Sequence, residues 1–447
     1  MSQLPLLEKN AYLAIQLTHN SICANLSYSH YDIGRHYVLT DETFFDPLYD
    51  DITEQRFWDE YFAELTKVFD WKLVISTNTK ASMAQIARFR DEGDGIAGIS
   101  FIVHDKLPNR VKILSVLHTY IPTAEIVIQS ETEVQKYLPD LAHKLGYKNL
   151  IHINADMEKF DVTNVDLVTD KGKTTKRVTT AKIHWDNRQS LIESIRDKRI
   201  GAFSTIDLTS DQNMNLWANY VNRSVPVTDN SGIHDMLRSF LTVQLTTILK
   251  NQPQITLTNN EGPKERLVVI EGLLARVLDD KEIVISILDG FQMKGGFDLL
   301  IDENAQFMSF GKKFTEGINS SDYITPISSV LGELRYVAVV EVGGRSSGKA
   351  VMMGEIIGRG DQMTDVYVLS SEFREYLLGD INSRNVFTGR GLKGAYVYGN
   401  GKKELIVVSD PEERQYKSVF IDARERPVIY GPDHRKNKDK LRVWTNE

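Results

Sequence analysis

The chain contains one cysteine, Cys23, in 447 residues. A single thiol excludes an internal disulfide framework and a cysteine-built metal site, and it suits a reducing compartment. Long apolar runs are missing as well. A membrane-spanning helix needs roughly 18 or more consecutive apolar residues, and the sequence has no such stretch. Met1 to Asn10 lacks the charged-then-apolar pattern of a secretory leader, so the expectation is a cytoplasmic protein. Nor is there an excess of positive charge. The 53 Lys and Arg against 61 Asp and Glu give a net charge of -8, which offers no general attraction to nucleic acid or anionic lipid. The one basic cluster, Arg435, Lys436, Lys438, Lys440 and Arg442, is interrupted by Asp433 and Asp439 and reads as a solvated helix end.

What is present is an ordinary globular balance. Hydrophobic residues at 41% and charged residues at 26%, with no biased tract, predict folding along nearly the whole length. The length predicts two to four structural units. Ala11 to Ser29 reads as a strand, a polar turn at Thr18 to Ser21, and a returning strand. A third strand is expected at His36 to Thr40. In Thr53 to Trp71 the residues Phe57, Tyr61, Phe62, Leu65 and Phe69 recur at helical spacing. Strands are expected at Lys72 to Ser76, Gly98 to His104 and Lys112 to Tyr120, then a helix at Glu131 to Leu145 ending at Gly146.

A second cycle opens at Asn149 with NLIHINADMEKFDVTNVDLV, again strand, turn and strand, followed by the strand KRVTTAKIHW. A helix at Arg188 to Lys198, a strand at Ala202 to Leu208 and a helix at Gly232 to Lys250 come next. Arg266 to Met308 gives strand LVVIEG, helix EIVISILDGFQ and strand FDLLID. Beyond Val330, short β-rich runs (YVAVVEV, AVMMGEII, DVYVLSS, GAYVYG, ELIVVS, SVFID) are separated by turns, with Asn400-Gly401 a hairpin signal. Two units that each open with a hairpin resemble the actin-like ATPases. The expected fold is α/β, with duplicated actin/Hsp70-like (ribonuclease H-like) lobes at 1–148 and 149–328 and an all-β C-terminal domain at 329–447.

LVVIEGLLARVLDD, ILDGFQMKGGFDLLIDENAQFMSFG and SVFIDARERPVIYGPDHRKNKDKLRVW, in that order, resemble the glutamate mutase L family, accessory proteins of adenosylcobalamin-dependent mutases. That family shows a glycine-rich turn before Leu-Ala, a leucine-aspartate-alanine-leucine-glutamine segment before a strand, and IDARGRP near its end. The last stands here as Ile421, Asp422, Ala423, Arg424, Glu425, Arg426, Pro427. The resemblance implies an actin-like fold with a carboxyl-terminal β domain.

It also implies where nucleotide would bind. In such ATPases a carboxylate at each hairpin turn orients hydrated magnesium, and glycines let backbone N–H groups reach the phosphates. Where relatives show Asp-x-Gly-Ser-Thr, Gln16 takes the aspartate position and Thr18 the glycine position, with His19 and Asn20 following. Where they show Asp-Val-Gly-Gly-Ala-Thr-Thr-Asp-Val, the chain has Asn154, Ala155, Asp156, Met157, Glu158, Lys159, Phe160, Asp161, Val162. Asp156 and Glu158 add negative charge facing a polyphosphate. At the nucleoside turn Glu271 and Gly272 remain of a run of glycines. Gln16, Thr18, His19, Asn20, Asn154, Asp156, Asp161, Glu271 and Gly272 therefore outline a vestigial nucleotide cleft, with no catalytic residue, no metal and no cofactor expected and ATP with magnesium disfavoured.

Other motifs are weaker. Gly343 to Ala350 fits Gly-x-x-x-x-Gly-Lys, but Ala350 stands where magnesium needs Ser or Thr, and a hairpin loop with a basic tip is the expectation. Gly172-Lys173-Thr174-Thr175 reads as a turn. His104, His118 and His152 lie on expected strands without metal-ligand spacing. Asp422, Arg424 and Arg426 alternate on one strand face. They form either a partner-binding or inter-domain ion network or a structural salt-bridge set within the β domain. The functional expectation is a non-enzymatic accessory or scaffold protein that binds partner proteins. The alternatives are a nucleotide-gated reactivating chaperone for a cobalamin-dependent mutase and an actin-like filament or pilus-assembly component, with homo-oligomerisation open.

Overall fold

The computed structural model describes residues 11–17, 21–29, 36–44, 51–68, 96–103, 111–113, 115, 126–170, 173–185, 187–223, 231–255, 265–316, 330–342, 348–358, 362–379, 383–392, 395–397, 403–410, 414–424, 436, 439 and 444. They form two compact units. The first comprises Met1–Lys144 with Asn304–Gly332, and the second Leu145–Glu303 with Glu333–Glu447.

The first unit is built on β1 (Ala11–Leu17), β2 (Ser21–Ser29), β3 (His36–Phe44), β4 (Ile96–Val103) and β5 (Ile126–Ser130). The sheet order is β3-β2-β1-β4-β5. β1 is antiparallel to β2 and parallel to β4, so it is central, and its run from Tyr12 to Leu17 is buried on both faces. The helix Gln55–Val68 carries Trp58, Tyr61, Phe62 and Leu65 inward, and the Trp58 indole donates to the Ile52 carbonyl at 2.8 Å. Glu131–Gln135 and Leu138–Leu145 are two helices where the sequence predicts one. The first opens with a capping box between Ser130 and Glu133. Residues 111–113 are helical where the apolar run predicts a strand, and Val111 is exposed rather than part of a sheet face. The helix Gln306–Glu316 packs against β1 and β4 of this unit, and the Asn25 amide donates to the Asn304 carbonyl at 2.7 Å. The strand expected at Lys72 to Ser76 lies outside the described residues.

The second unit contains β6 (Asn149–Ala155), β7 (Lys159–Asp170), β8 (Lys173–His184), β9 (Arg266–Glu271), β10 (Gly296–Asp302), β11 (Glu333–Val339), β12 (Glu341–Val342), β13 (Ala350–Ile357), β14 (Met363–Leu369), β15 (Phe373–Leu377), β16 (Asn385–Gly391), β17 (Ala395–Tyr396), β18 (Glu404–Ser409) and β19 (Gln415–Asp422). Its main sheet runs β15-β19-β11-β10-β9-β6-β7-β8. From β8 to β10 this repeats the first sheet strand for strand, with β6–β7 and β7–β8 antiparallel and β6–β9 and β9–β10 parallel. The fold is α/β, with the same five-strand order in both sheets. Between β11 and Asp422 every described regular element is a strand. Three of these strands, β11, β19 and β15, extend the main sheet. β14-β13-β16-β18 forms a separate four-stranded sheet.

One face of the main sheet is closed by an apolar core of Ile151, Ile153, Phe160, Val268, Ile270, Leu299 and Val337 against the helices Ser231–Asn251 and Asp280–Phe291. The segment Lys198–Phe203 is helical where a strand is expected over 202–208. Asp197 caps it by accepting from the Arg199 N–H at 2.9 Å, and the Ser204 hydroxyl bonds to Asp235. Asp280 fixes its helix to β11 and β19 through two bonds from Arg335, each 2.9 Å, and one from Lys417 at 2.9 Å. Burial raises the Asp280 pKa, but these two cations outweigh it and hold the carboxyl below its usual value.

The two core helices touch at Gly290, where an added Cβ would come within 2.5 Å of Leu245 Cβ and 3.1 Å of the Thr242 carbonyl oxygen. Gly290→Ala is expected to force the helices apart and lower stability by about 1–3 kcal/mol, read from the midpoint of urea unfolding at unchanged slope.

Candidate functional site

In an open α/β sheet, ligands bind beyond the carboxyl ends of the parallel strands, and the register shows what stands there. Across the first sheet the row is Glu42, Cys23, Gln16, Ile102 and Gln129. Across the second, the corresponding row is Lys182, Asp161, Asn154, Glu271 and Asp302. Gln16 and Asn154 occupy the same place, the sixth residue of β1 and of β6. Both are buried, and neither Gln16 Oε1 nor Asn154 Oδ1 has a hydrogen-bond partner among the described residues. Each half thus has a neutral carboxamide at the position where the family resemblance implies an aspartate. Thr18, His19, Asn20, His104, His118, Arg426, the Asn400-Gly401 turn and most of Gly343 to Ala350 lie outside the described residues. Lys173 to Thr175 form the start of β8.

The β6–β7 turn is filled by its own side chains. Met157, in a position where the resemblance implies glycine, is buried in the apolar core. Asp156, at the neighbouring glycine position, turns the other way, and its Oδ1 accepts from the Leu273 N–H at 2.8 Å. This is the first residue after Gly272, whose φ of +94° suits only glycine. The fit is tight, since a Cβ on Gly272 would lie 2.9 Å from Asp156 Oδ1 and 3.0 Å from the Ala155 carbonyl carbon. The Leu273 N–H is thereby bonded to an internal carboxylate. A bond of that charged type is worth about 1.5–3 kcal/mol. A phosphate displacing it would also meet the carboxylate charge, at about 4 kcal/mol per unit charge for 4 Å and an effective dielectric of 20.

The remaining row is internally compensated. Asp161 is buried and faced by two ammonium groups and an imidazole, with Lys159 Nζ at 3.1 Å, Lys182 Nζ at 3.7 Å and His184 Nε2 at 3.8 Å. Glu271 is buried with His152, whose Nε2 lies 3.0 Å from Glu271 Oε1. Glu158 at the turn pairs with Arg188 at 3.3 Å. No group of three or more His, Cys, Asp or Glu side chains among the described residues is placed to hold a metal ion. Sequence reasoning missed the Lys159, Lys182 and His184 side chains around Asp161, the Glu271 partner of His152, and Asp302. The period-two alternation of β8 and the final residue of FDLLID carried part of that signal.

Asp422 and Arg424 are fully buried. Arg424 Nε and Nη2 donate to Asp422 at 2.8 and 3.0 Å. Its Nη1 and Nη2 donate to Asp289, on the helix Asp280–Phe291, at 3.2 and 2.9 Å. The guanidinium lies 4.6 Å from the Trp444 ring centroid and 5.5 Å from that of Phe373. On β10, Asp298 accepts from the Tyr147 hydroxyl at 2.7 Å and the Tyr416 hydroxyl at 3.0 Å, and faces Arg414 at 3.4 Å.

No family model matches the sequence, and no curated protein matches it. Among solved structures it is similar to the ethanolamine utilization protein EutJ from Carboxydothermus hydrogenoformans, at 10% identity and a TM-score of 0.35 over 68% of this chain and 89% of that one. It is also similar to the Ppx/GppA phosphatase of Aquifex aeolicus, at 10% identity and 0.29 over 59% and 67%. A Bacteroides thetaiotaomicron protein with an actin-like ATPase fold and unknown function aligns at 9% identity and 0.28 over 64% and 89%. The fold assignment rests on the duplicated strand order and not on these alignments. No helix among the described residues is long and apolar enough to cross a membrane.

Proposed function

We propose that this chain is a degenerate actin-like protein that works by binding partner proteins rather than by hydrolysing ATP. The observation that carries the reading is the bond from the Leu273 N–H to Asp156, in which an internal carboxylate takes the contact a phosphate would need. The carboxamides Gln16 and Asn154 support it, since a neutral amide does not offset the charge of magnesium. The buried Met157 supports it too, because glycine at that position would let a ligand approach the backbone closely and methionine does not.

Calorimetric titration with ATP and with ADP, each with and without magnesium, tests this directly. The expected result is no binding heat and no rise in unfolding temperature at millimolar nucleotide. A ligand bound a hundredfold above its dissociation constant would add about 2.7 kcal/mol of stability, so a magnesium-dependent rise of that order would overturn the reading. It would point instead to a nucleotide-gated factor whose two states differ in partner affinity.

A further inference from the structure

One face of the first sheet is buried and yet polar. Residues opposite each other in register share a face, so Ala14 on β1 has Asn25 of β2 on one side and Ser100 of β4 on the other. Gln16 follows two residues along β1 and points to the same face. The helix Gln306–Glu316 packs against β1 and β4. Asn25 ties its start to this face, since its Nδ2 donates to the Asn304 carbonyl at 2.7 Å. Ser309 stands one helical turn on, with its N–H donating to the Ala305 carbonyl at 3.4 Å.

Gln16, Asn25 and Ser309 are each more than nine-tenths buried. Gln16 Oε1, Asn25 Oδ1, Ser100 Oγ and Ser309 Oγ are all shielded from solvent, and none has a hydrogen-bond partner among the described residues. An unmet buried polar atom costs about 1–3 kcal/mol, so four at one contact between a sheet and a helix call for a common partner. The sheet itself supplies no cation, because its five strands contain neither Lys nor Arg.

Counting hydrogens identifies the partner. The bond to Asn304 fixes the Asn25 amide, so its Oδ1 accepts and does not donate. Gln16 Oε1 is an acceptor in the same way. Each serine hydroxyl has one hydrogen to give. Two acceptors and two donors are the complement of one water, which gives two hydrogens and takes two. An ammonium ion gives four and takes none, and an alkali ion takes none, so either leaves both serine hydrogens unmet. There is room above Ala14, which carries only a methyl group. Two strand spacings of about 4.8 Å separate Asn25 from Ser100, and their short side chains leave a gap that one water bonded at about 2.8 Å on each side can bridge.

We infer that one water molecule is bound between Ala14 and the helix Gln306–Glu316, giving its hydrogens to Gln16 and Asn25 and accepting those of Ser100 and Ser309. It fastens the helix to the sheet through both β1 and its two neighbours, as buried waters with two to four polar contacts do. It also gives Gln16 a task inside the fold, at the position where the family resemblance implies an aspartate.

A high-resolution crystal structure of the full chain tests the site directly, with one water expected within about 2.6–3.2 Å of all four oxygens. In solution, Ser100→Ala, Ser309→Ala and the double variant form a cycle read by urea unfolding. Each single change should lower the folding equilibrium constant about fivefold. The double change should lower it by clearly less than the product of the two, because both hydroxyls bond the same water. Each change removes a single oxygen, so circular dichroism of the variants should match the parent. Stability in potassium, sodium and choline chloride at equal ionic strength should be the same. A structure with no water at this point, or single effects that multiply, overturns the proposal. So does a gain in stability specific to one alkali ion, which would make this an ion site. The nucleotide titration reads different atoms, so either inference can fail while the other stands.

Discussion

Arg424→Met is expected to lower the stability of the second unit by about 3–5 kcal/mol, the cost of breaking a buried charge pair from one side. The guanidinium is the hub of a site with almost no access to water, giving two bonds to Asp289 and two to Asp422. Methionine matches much of its length but leaves two carboxylates in the interior without their cation. Lysine is expected to fall between, because an ammonium keeps the charge and cannot reach both carboxylates with a planar fork. Urea unfolding of the parent, Arg424→Met, Asp289→Ala and the double variant forms a cycle. The double variant should be less destabilised than the sum of the two single changes, since each alone strands the other's partner. A loss below about 1 kcal/mol for Arg424→Met, within the range of an ordinary surface substitution, would show that the network contributes nothing to the fold.

Asp298→Ala should have a comparable effect, on the order of 3–5 kcal/mol, by leaving two tyrosine hydroxyls and Arg414 with no acceptor in common. Arg414 is further committed, since it donates to the Leu145 carbonyl at 2.7 Å and lies 4.4 Å from the Tyr147 ring centroid. The same cluster predicts an alkaline limit. Burial first, and then the Asp298 carboxylate, push the hydroxyls of Tyr147 and Tyr416 well above the usual phenol value. A folded-state value raised in this way gives stability that is present below the unfolded value, about 10, and lost as pH rises beyond it. The loss is up to about 1.4 kcal/mol per pH unit for each tyrosine. Tyr147→Phe should weaken the protein near neutral pH, where it removes a donor, and flatten its decline above pH about 10 by one proton. An unchanged alkaline slope would show that Tyr147 ionises freely in the native protein.

The two opening hairpins and the central strands were legible in the sequence because period and punctuation report them. Both opening hairpins, the strands LVVIEG and FDLLID and the long helix over 231–251 follow from apolar runs bounded by turns. The helix Lys198–Phe203 was not, because it depends on a cap. Asp197 looks like any polar residue until its carboxylate is seen to accept from the Arg199 N–H. Joining β11, β19 and β15 to the main sheet was also beyond reach, since a short β-rich run carries no mark of the sheet it pairs with.

At the candidate site the sequence told what is missing and not what replaces it. The amides at Gln16 and Asn154 and the loss of glycine at Asp156 and Met157 are read by position alone. The closure of Asp156 on Leu273 joins residues 117 apart in the chain. ILDGF and IDARERP likewise read as two unrelated segments, although Arg424 of one grips Asp289 of the other across 135 residues.

The helix Gln306–Glu316 has a consequence for how the protein is made. It packs on β1 and β4 of the first unit, yet it follows the last residues of β10 in the second, so the chain passes between units at 144/145, 303/304 and 332/333. On the ribosome the first unit lacks this helix until more than two thirds of the chain has emerged, and the second waits for β19, which ends only at Asp422. Neither unit corresponds to a single continuous stretch of the gene. A cut at any one point between Ala11 and Asp422 leaves one unit missing part of its sheet or the helix that covers it, so the two units are made and lost together.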